Sequence, residues 1–168
     1  MFSLRKLLIM SLFSFLLGAC DKNGNPIQEF GLDKLEKGVS TEAEVRMVMG
    51  KPDTVWEDDD GSRTLEYPKG PAGSRTWMFH IDKGGKLRDY EQVLTMENFA
   101  RIKPGMSEDD VRRMLGKPRS VAQYKRKKEE VWDWKYLEGP NDRLFNVHFD
   151  INTRKVTGTS TSDVNMGG

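Results

Sequence analysis

The sequence predicts an α+β chain, a tandem repeat in which two helices pack on an antiparallel β-meander. Three observations predict it. The chain can be laid on itself in register, each copy opens with helix caps and stops, and each copy closes with alternating apolar and polar residues. Leu35-Glu-Lys-Gly38 matches Ile102-Lys-Pro-Gly105, and Glu44-Val45 matches Asp110-Val111. Val48-Met49-Gly50-Lys51-Pro52 matches Met114-Leu115-Gly116-Lys117-Pro118. Tyr67-Pro-Lys-Gly70-Pro71 matches Tyr136-Leu-Glu-Gly139-Pro140, and Phe79-His80-Ile81-Asp82 matches Val147-His148-Phe149-Asp150. The order is the same in both halves.

The chain opens on Arg5 and Lys6, a short apolar run from Leu7 to Leu17, and then Leu17-Gly18-Ala19-Cys20. A charged start, an apolar stretch too short to span a bilayer and small residues before the cut describe an export signal. The Leu-Gly-Ala-Cys ending resembles the bacterial lipobox. That resemblance implies a lipoprotein signal peptide over 1–19 and an acylated Cys20 as the first mature residue. Cys20 is the only cysteine, so the chain has neither an internal disulfide nor a cysteine zinc site. Several acyl chains on that one residue would anchor it to a membrane, each buried CH₂ contributing about 0.8 kcal/mol. Removing Arg5 and Lys6 with the leader takes the net charge from +1 to about −1, which argues against nucleic acid as partner.

Turn-forming residues over 20–31 read as a flexible tether. Repeat one is expected over 32–92 and repeat two over 93–158, with a disordered Gly/Ser/Thr tail over 159–168. In repeat one, Thr41-Glu-Ala-Glu44 is a capping box, and Gly50 and Pro52 stop the helix. In repeat two, Thr95 caps a short helix reaching Ile102. Ser107 caps the next, with Glu108, Asp109 and Asp110 at the positive end of the dipole and Gly116 and Pro118 as the stop. Val45, Val48 and Met49, and equally Val111, Met114 and Leu115, fall at helical spacing and form the buried stripe. Strands are expected over Val121–Gln123, Val131–Tyr136, Leu144–Asp150 and Lys155–Ser160. Trp132, Trp134 and Tyr136 share one face, as do Phe145, Val147 and Phe149; Leu65 and Tyr67, then Trp77, Phe79 and Ile81, do so in repeat one. Each meander should turn an apolar face to its helices and leave a polar face free.

Repeat two resembles the SmpA/OmlA, or BamE, family of the outer-membrane β-barrel assembly machinery. The residues that carry the resemblance are Leu94-Thr95, Ile102-Lys103-Pro104-Gly105-Met106-Ser107, Val111, Leu115-Gly116-Lys117-Pro118, Trp132-Asp-Trp134-Lys-Tyr136 and Val147-His-Phe149-Asp150. The family's fold, as the resemblance implies it, is two helices on an antiparallel sheet. A tandem version is similar to the β-lactamase inhibitory protein, in which a concave sheet face grips a protein. The resemblance implies a non-enzymatic, protein-binding lipoprotein of the outer membrane, facing the periplasm, with the barrel-assembly machinery as partner. The alternative is an inhibitor of a periplasmic enzyme. Asp21, next to the acylated cysteine, resembles an inner-membrane retention signal and points to the other membrane.

Candidate contact residues are few. Lys125, Arg126, Lys127 and Lys128 crowd one hairpin tip, suited to an acidic protein patch or to anionic phospholipid, the latter also implied by the resemblance. The equivalent tip in repeat one, Glu57-Asp58-Asp59-Asp60-Gly61, lacks calcium-loop spacing because Trp56 and Tyr67 stand where ligands belong. Trp56 beside it is a candidate partly exposed contact. His80 and His148, each two residues before an Asp, read as a polar-face position copied twice rather than metal ligands. No phosphate loop or nucleophile with a paired base is legible, and no cofactor or metal is expected.

Overall fold

The computed structural model describes residues 29–69 and 73–164. The leader, Cys20, the tether before 29, residues 70–72 (with the Gly70-Pro71 match) and the last four residues lie outside them. The chain divides into two compact units, Met1–Lys34 and Leu35–Gly168. In the first, the described element is a 3₁₀ helix, Glu29–Lys34. The second holds α1 (Glu42–Met49), β1 (Thr54–Glu57), β2 (Arg63–Lys69), β3 (Arg75–Ile81) and β4 (Leu87–Gln92). It continues with α2 (Met96–Arg101), α3 (Glu108–Leu115), β5 (Ser120–Tyr124), β6 (Glu129–Glu138), β7 (Asn141–Asp150) and β8 (Lys155–Asp163). Two antiparallel four-stranded sheets result, ordered β1-β2-β3-β4 and β5-β6-β7-β8.

The helices start where local chemistry dictates. The Thr41 hydroxyl accepts the Glu44 N–H at 3.3 Å, and the Glu44 carboxylate accepts the Thr41 N–H at 2.6 Å. Ser107 and Asp110 repeat the exchange at 3.2 and 2.8 Å, and Thr95 caps α2 through the Asn98 N–H. These bonds satisfy N–H groups that a helix start leaves unpaired. They also hold the Glu44 and Asp110 carboxyls below their ordinary values, first through the Thr41 backbone N–H and the Ser107 hydroxyl respectively. A carboxyl with a depressed folded pKa stabilises above its unfolded pKa, and that contribution disappears as pH falls through the folded value. The thermal midpoint should therefore drop as pH is lowered from about 5 to about 3, the range in which unfolded Asp and Glu titrate. In the double variant Glu44→Gln/Asp110→Asn the drop should be shallower. Calorimetric scans across that range check this, and parallel curves would contradict it.

Each sheet turns alternate residues to one core. Leu65, Tyr67, Phe79, Ile81 and Leu87 are buried with Val45 and Met49 of α1, and the Tyr67 hydroxyl donates to the Gly50 carbonyl at the end of that helix. In repeat two, Trp132, Trp134, Tyr136, Phe145, Val147 and Phe149 form one cluster with Phe99, Ile102, Val111 and Leu115, and the Trp134 indole N–H donates to the Gly116 carbonyl. Val48 and Met114, at the flank of each stripe, are half-buried.

Three expectations need correction. Repeat one has one α-helix, not two: the segment before Leu35 is 3₁₀, with Gly31 at φ 73° breaking any α-helical run. The tail does not begin at 159, because β8 runs to Asp163 in register with β7 down to Arg143. Alternating threonine suits a pleated strand, and its composition hid that. The third concerns the free faces. In repeat one the face opposite α1 carries Glu66, Thr76 and Met78, and all three are buried. Met78 belongs to the cluster of repeat two, so α2 and α3 lie between the two sheets and touch both.

The joint between the repeats centres on Glu66, whose side chain is fully buried. Its carboxylate accepts the Lys117 N–H at 2.6 Å, an Arg112 guanidinium N–H at 3.3 Å and the Trp56 indole N–H at 3.2 Å. The Arg112 and Arg113 guanidinium groups sit 5.4 and 5.1 Å from the Trp56 ring centre. Arg113–Asp58 at 2.9 Å and Lys117–Asp53 at 3.3 Å close the rim. With the back of sheet one thus covered, the polar face of sheet two, half-buried over most of its residues, is the broad face that no element covers among the described residues.

Candidate binding surface

The outer face of the second sheet is set by strand alternation. Trp132, Trp134 and Tyr136 point inward, so Val131, Asp133, Lys135 and Leu137 point outward; on β7 the outward set is Leu144, Asn146 and His148. The polar members are tied across strands. Asp133 accepts from Arg119 at 3.1 Å and from the Ser120 hydroxyl. Lys135, itself buried, pairs with Asp142 at 2.6 Å. Asn146 Nδ2 reaches Ser160 Oγ at 3.4 Å and Ser162 Oγ at 3.1 Å.

His148 lies in the middle of this ladder. Its Nδ1 is 2.9 Å from a Glu129 oxygen and its Nε2 is 2.8 Å from Ser160 Oγ. Serine, imidazole and carboxylate in line have the connectivity of a nucleophilic triad. Here the serine stands on a strand facing solvent and belongs to a cross-strand ladder that continues through Asn146 to Ser162. What the trio does physically is lock β6, β7 and β8 side by side. His80 is bound differently, to the Thr64 hydroxyl at 3.0 Å and 3.5 Å from Glu91. Among the described residues no group of three or more His, Cys, Asp and Glu is placed to hold a metal.

The four basic residues stand at one end of this face. Lys125–Lys127 form a 3₁₀ turn between β5 and β6, and Lys128 closes it in the left-handed conformation at φ 53°. All four are exposed, and none makes an ion pair among the described residues. Tyr124 before them is 50% exposed, with the Lys127 ammonium 5.9 Å from its ring centre. The tip therefore offers exposed positive charge beside an aromatic ring. Trp56 is half-buried, with its ring engaged by the joint described above. Sequence reasoning missed Glu66 as the joint's centre, although the apolar residues Trp56, Pro68 and Met78 on the same face marked that face as covered. It also missed Glu129 and Ser160 as partners of His148, which alternation alone places on the same side.

These features define a class of protein: an α+β chain of two antiparallel four-stranded sheets, the second of which presents a cross-linked polar face and a basic tip. Residues 91–158 match the model of the outer membrane protein assembly factor BamE domain. The match spans the second repeat, so the resemblance drawn from its motifs is shown for that half. No curated protein matches the chain in sequence. Three solved structures match the chain at low identity and low structural overlap. An extracellular SCP-domain protein from Bacillus anthracis is 14% identical with a TM-score of 0.30, over 83% of this chain and 47% of that one. This chain thus spans about half of that protein's length. A DUF4309 family protein (YjgB) from Bacillus subtilis is 15% identical with a TM-score of 0.29, over 77% of this chain and 82% of that one. A β-lactamase inhibitor protein, so described, from Streptococcus mutans is 11% identical with a TM-score of 0.30, over 80% of this chain and 94% of that one.

Proposed function

We propose that the chain is a periplasmic lipoprotein, held at the outer membrane through acylated Cys20, whose second repeat binds a protein of the β-barrel assembly machinery. The observation that carries the reading is the BamE domain match over 91–158, the half that also presents the open polar face and the unpaired tip Lys125–Lys128. The Leu-Gly-Ala-Cys20 motif supplies the anchor, and no helix among the described residues is long and apolar enough to cross a membrane. The action is non-catalytic. Tethering confines the domain to a thin layer of periplasm and raises its effective concentration toward partners there. The basic tip then biases which surfaces it meets, an acidic protein patch or anionic head groups, at about 1 kcal/mol per charge near a lipid surface.

Fractionated membranes and affinity capture of the full-length chain test this. The protein should sediment with outer membranes, and Cys20→Ser should release it into the soluble periplasm. Captured from solubilised membranes, it should bring barrel-assembly subunits with it. Capture of a single soluble enzyme in their place would make it an inhibitor and overturn the reading. Residence in the inner membrane would overturn the location and give Asp21 its role.

A further inference from the structure

The two sheets have four edges, β1, β4, β5 and β8. An edge strand offers unpaired N–H and C=O groups to any other strand, and proteins blunt it by shortness, charge or cover. β1 is four residues long and ends on Glu57. β4 carries Arg88, Asp89 and Glu91, and its start is covered where Gly38 donates to Leu87 and Leu87 to Ser40. β5 runs into the basic tip. β8 is β4's counterpart: Thr41 bridges Lys86 in one repeat and Ser107 bridges Lys155 in the other. Its first residues are covered likewise, by Gly105 and Met106 on Val156. From there the likeness ends. β8 is nine residues long, and Gly158-Thr-Ser-Thr-Ser162 brings neither charge nor proline. Its only irregularity lies before Gly158, opposite His148 and Phe149.

The phase of the ladder shows which groups are free. The Arg119 N–H bonds the Asp133 carbonyl, so outward-facing residues of β6 turn their backbone groups toward β5 and inward-facing ones toward β7. Carried across the register, Thr159, Thr161 and Asp163 turn theirs away from β7. The intervening serines are fixed by Asn146 and His148, which holds the strand extended. We propose that this edge, Gly158–Asp163, which no strand pairs with among the described residues, takes up an extended segment of a partner polypeptide by strand addition. This rests on reading the chain as a protein-binding module and names how it binds. An extended backbone matches a row of alternating donors and acceptors along its whole length. Small hydroxyl side chains leave room for bulky neighbours, so the segment favoured is uncharged with valine, isoleucine or tyrosine at alternate positions, the pattern of a barrel strand.

The test titrates a short synthetic peptide alternating valine or tyrosine with serine into the isotope-labelled full chain. Amide shifts should concentrate at Gly158–Asp163, and outward amides there should exchange more slowly when peptide is bound. Thr161→Pro removes an outward donor without touching a bond to β7; it should weaken binding about tenfold or more, and Thr159→Pro likewise. Thr161→Val should bind as the parent does, and unchanged tryptophan fluorescence would show that the variants are folded. Binding indifferent to both prolines overturns the proposal. So does absence of peptide binding, whether the chain is monomeric or pairs with a second copy through this edge, as sedimentation would reveal. Peptide binding and capture of assembly subunits are separate readouts, so either reading can fail alone.

Discussion

Gly116→Ala should destabilise the fold by about 3–5 kcal/mol, whereas Gly50→Ala, its twin in the other repeat, should cost about 1–3 kcal/mol. Both glycines end a helix in the same backbone conformation, φ 85° and ψ −158° at Gly50, φ 75° and ψ −164° at Gly116. That region is essentially closed to residues with a Cβ, so the conformational cost is common to both. Their surroundings differ. A Cβ at Gly50 meets nothing within 4 Å, while one at Gly116 would lie 2.8 Å from Thr76 Cγ2 and 2.9 Å from a Glu66 carboxylate oxygen. The neighbours are a buried threonine and a buried carboxylate held by three donors, so neither can swing aside cheaply. Overpacking of this kind adds about 1–3 kcal/mol. Urea unfolding of both variants measures the difference directly. Equal losses would mean that the back of sheet one does not press on the end of α3.

That contact also marks the limit of what the sequence discloses. Caps and stops were legible because they are local: Thr41 with Glu44, Ser107 with Asp110, and each Gly-Lys-Pro stop need only a few neighbouring residues. Inward and outward sets on β6 and β7 were legible because a pleat forces alternation. Glu66, Thr76 and His80 read as a solvent face for the same reason, since alternation separates polar from apolar but does not say what covers the polar side. The cover comes from Arg112 and Lys117, well over forty residues away in the chain, as the separations of 46 and 51 show. Trp56 read as a candidate partner contact because its ring's occupants belong to the other repeat. The binding surface divides in the same way. Lys125–Lys128 is a run visible in one dimension, but the unpaired edge of β8 among the described residues is a property of four strands compared with one another.

Glu66→Ala should cost about 3–5 kcal/mol, the loss expected when one partner of a buried ion pair is removed. The rim pairs Arg113–Asp58 and Lys117–Asp53 bridge the same joint, yet Asp58→Ala and Asp53→Ala should each cost about 0–1 kcal/mol. Side-chain exposure decides between them: 0% at Glu66, against 44% at Asp58 and 36% at Asp53. Water screens the rim charges and replaces a lost partner. At Glu66, removal strands the Lys117 N–H and the Trp56 indole N–H and leaves the Arg112 guanidinium, 19% exposed, without its carboxylate. Glu66→Gln separates geometry from charge. One amide oxygen can still serve Lys117, but the amide NH₂ then faces another donor at Trp56 or Arg112, so the cost should fall between those of the rim and Glu66→Ala. Because these partners share one acceptor, the losses in Glu66→Ala/Arg112→Ala should be well below additive, with a coupling of about 0.5–3 kcal/mol. Additive losses would mean that Arg112 is held by the Trp56 ring alone and that the carboxylate is not the pin between the repeats.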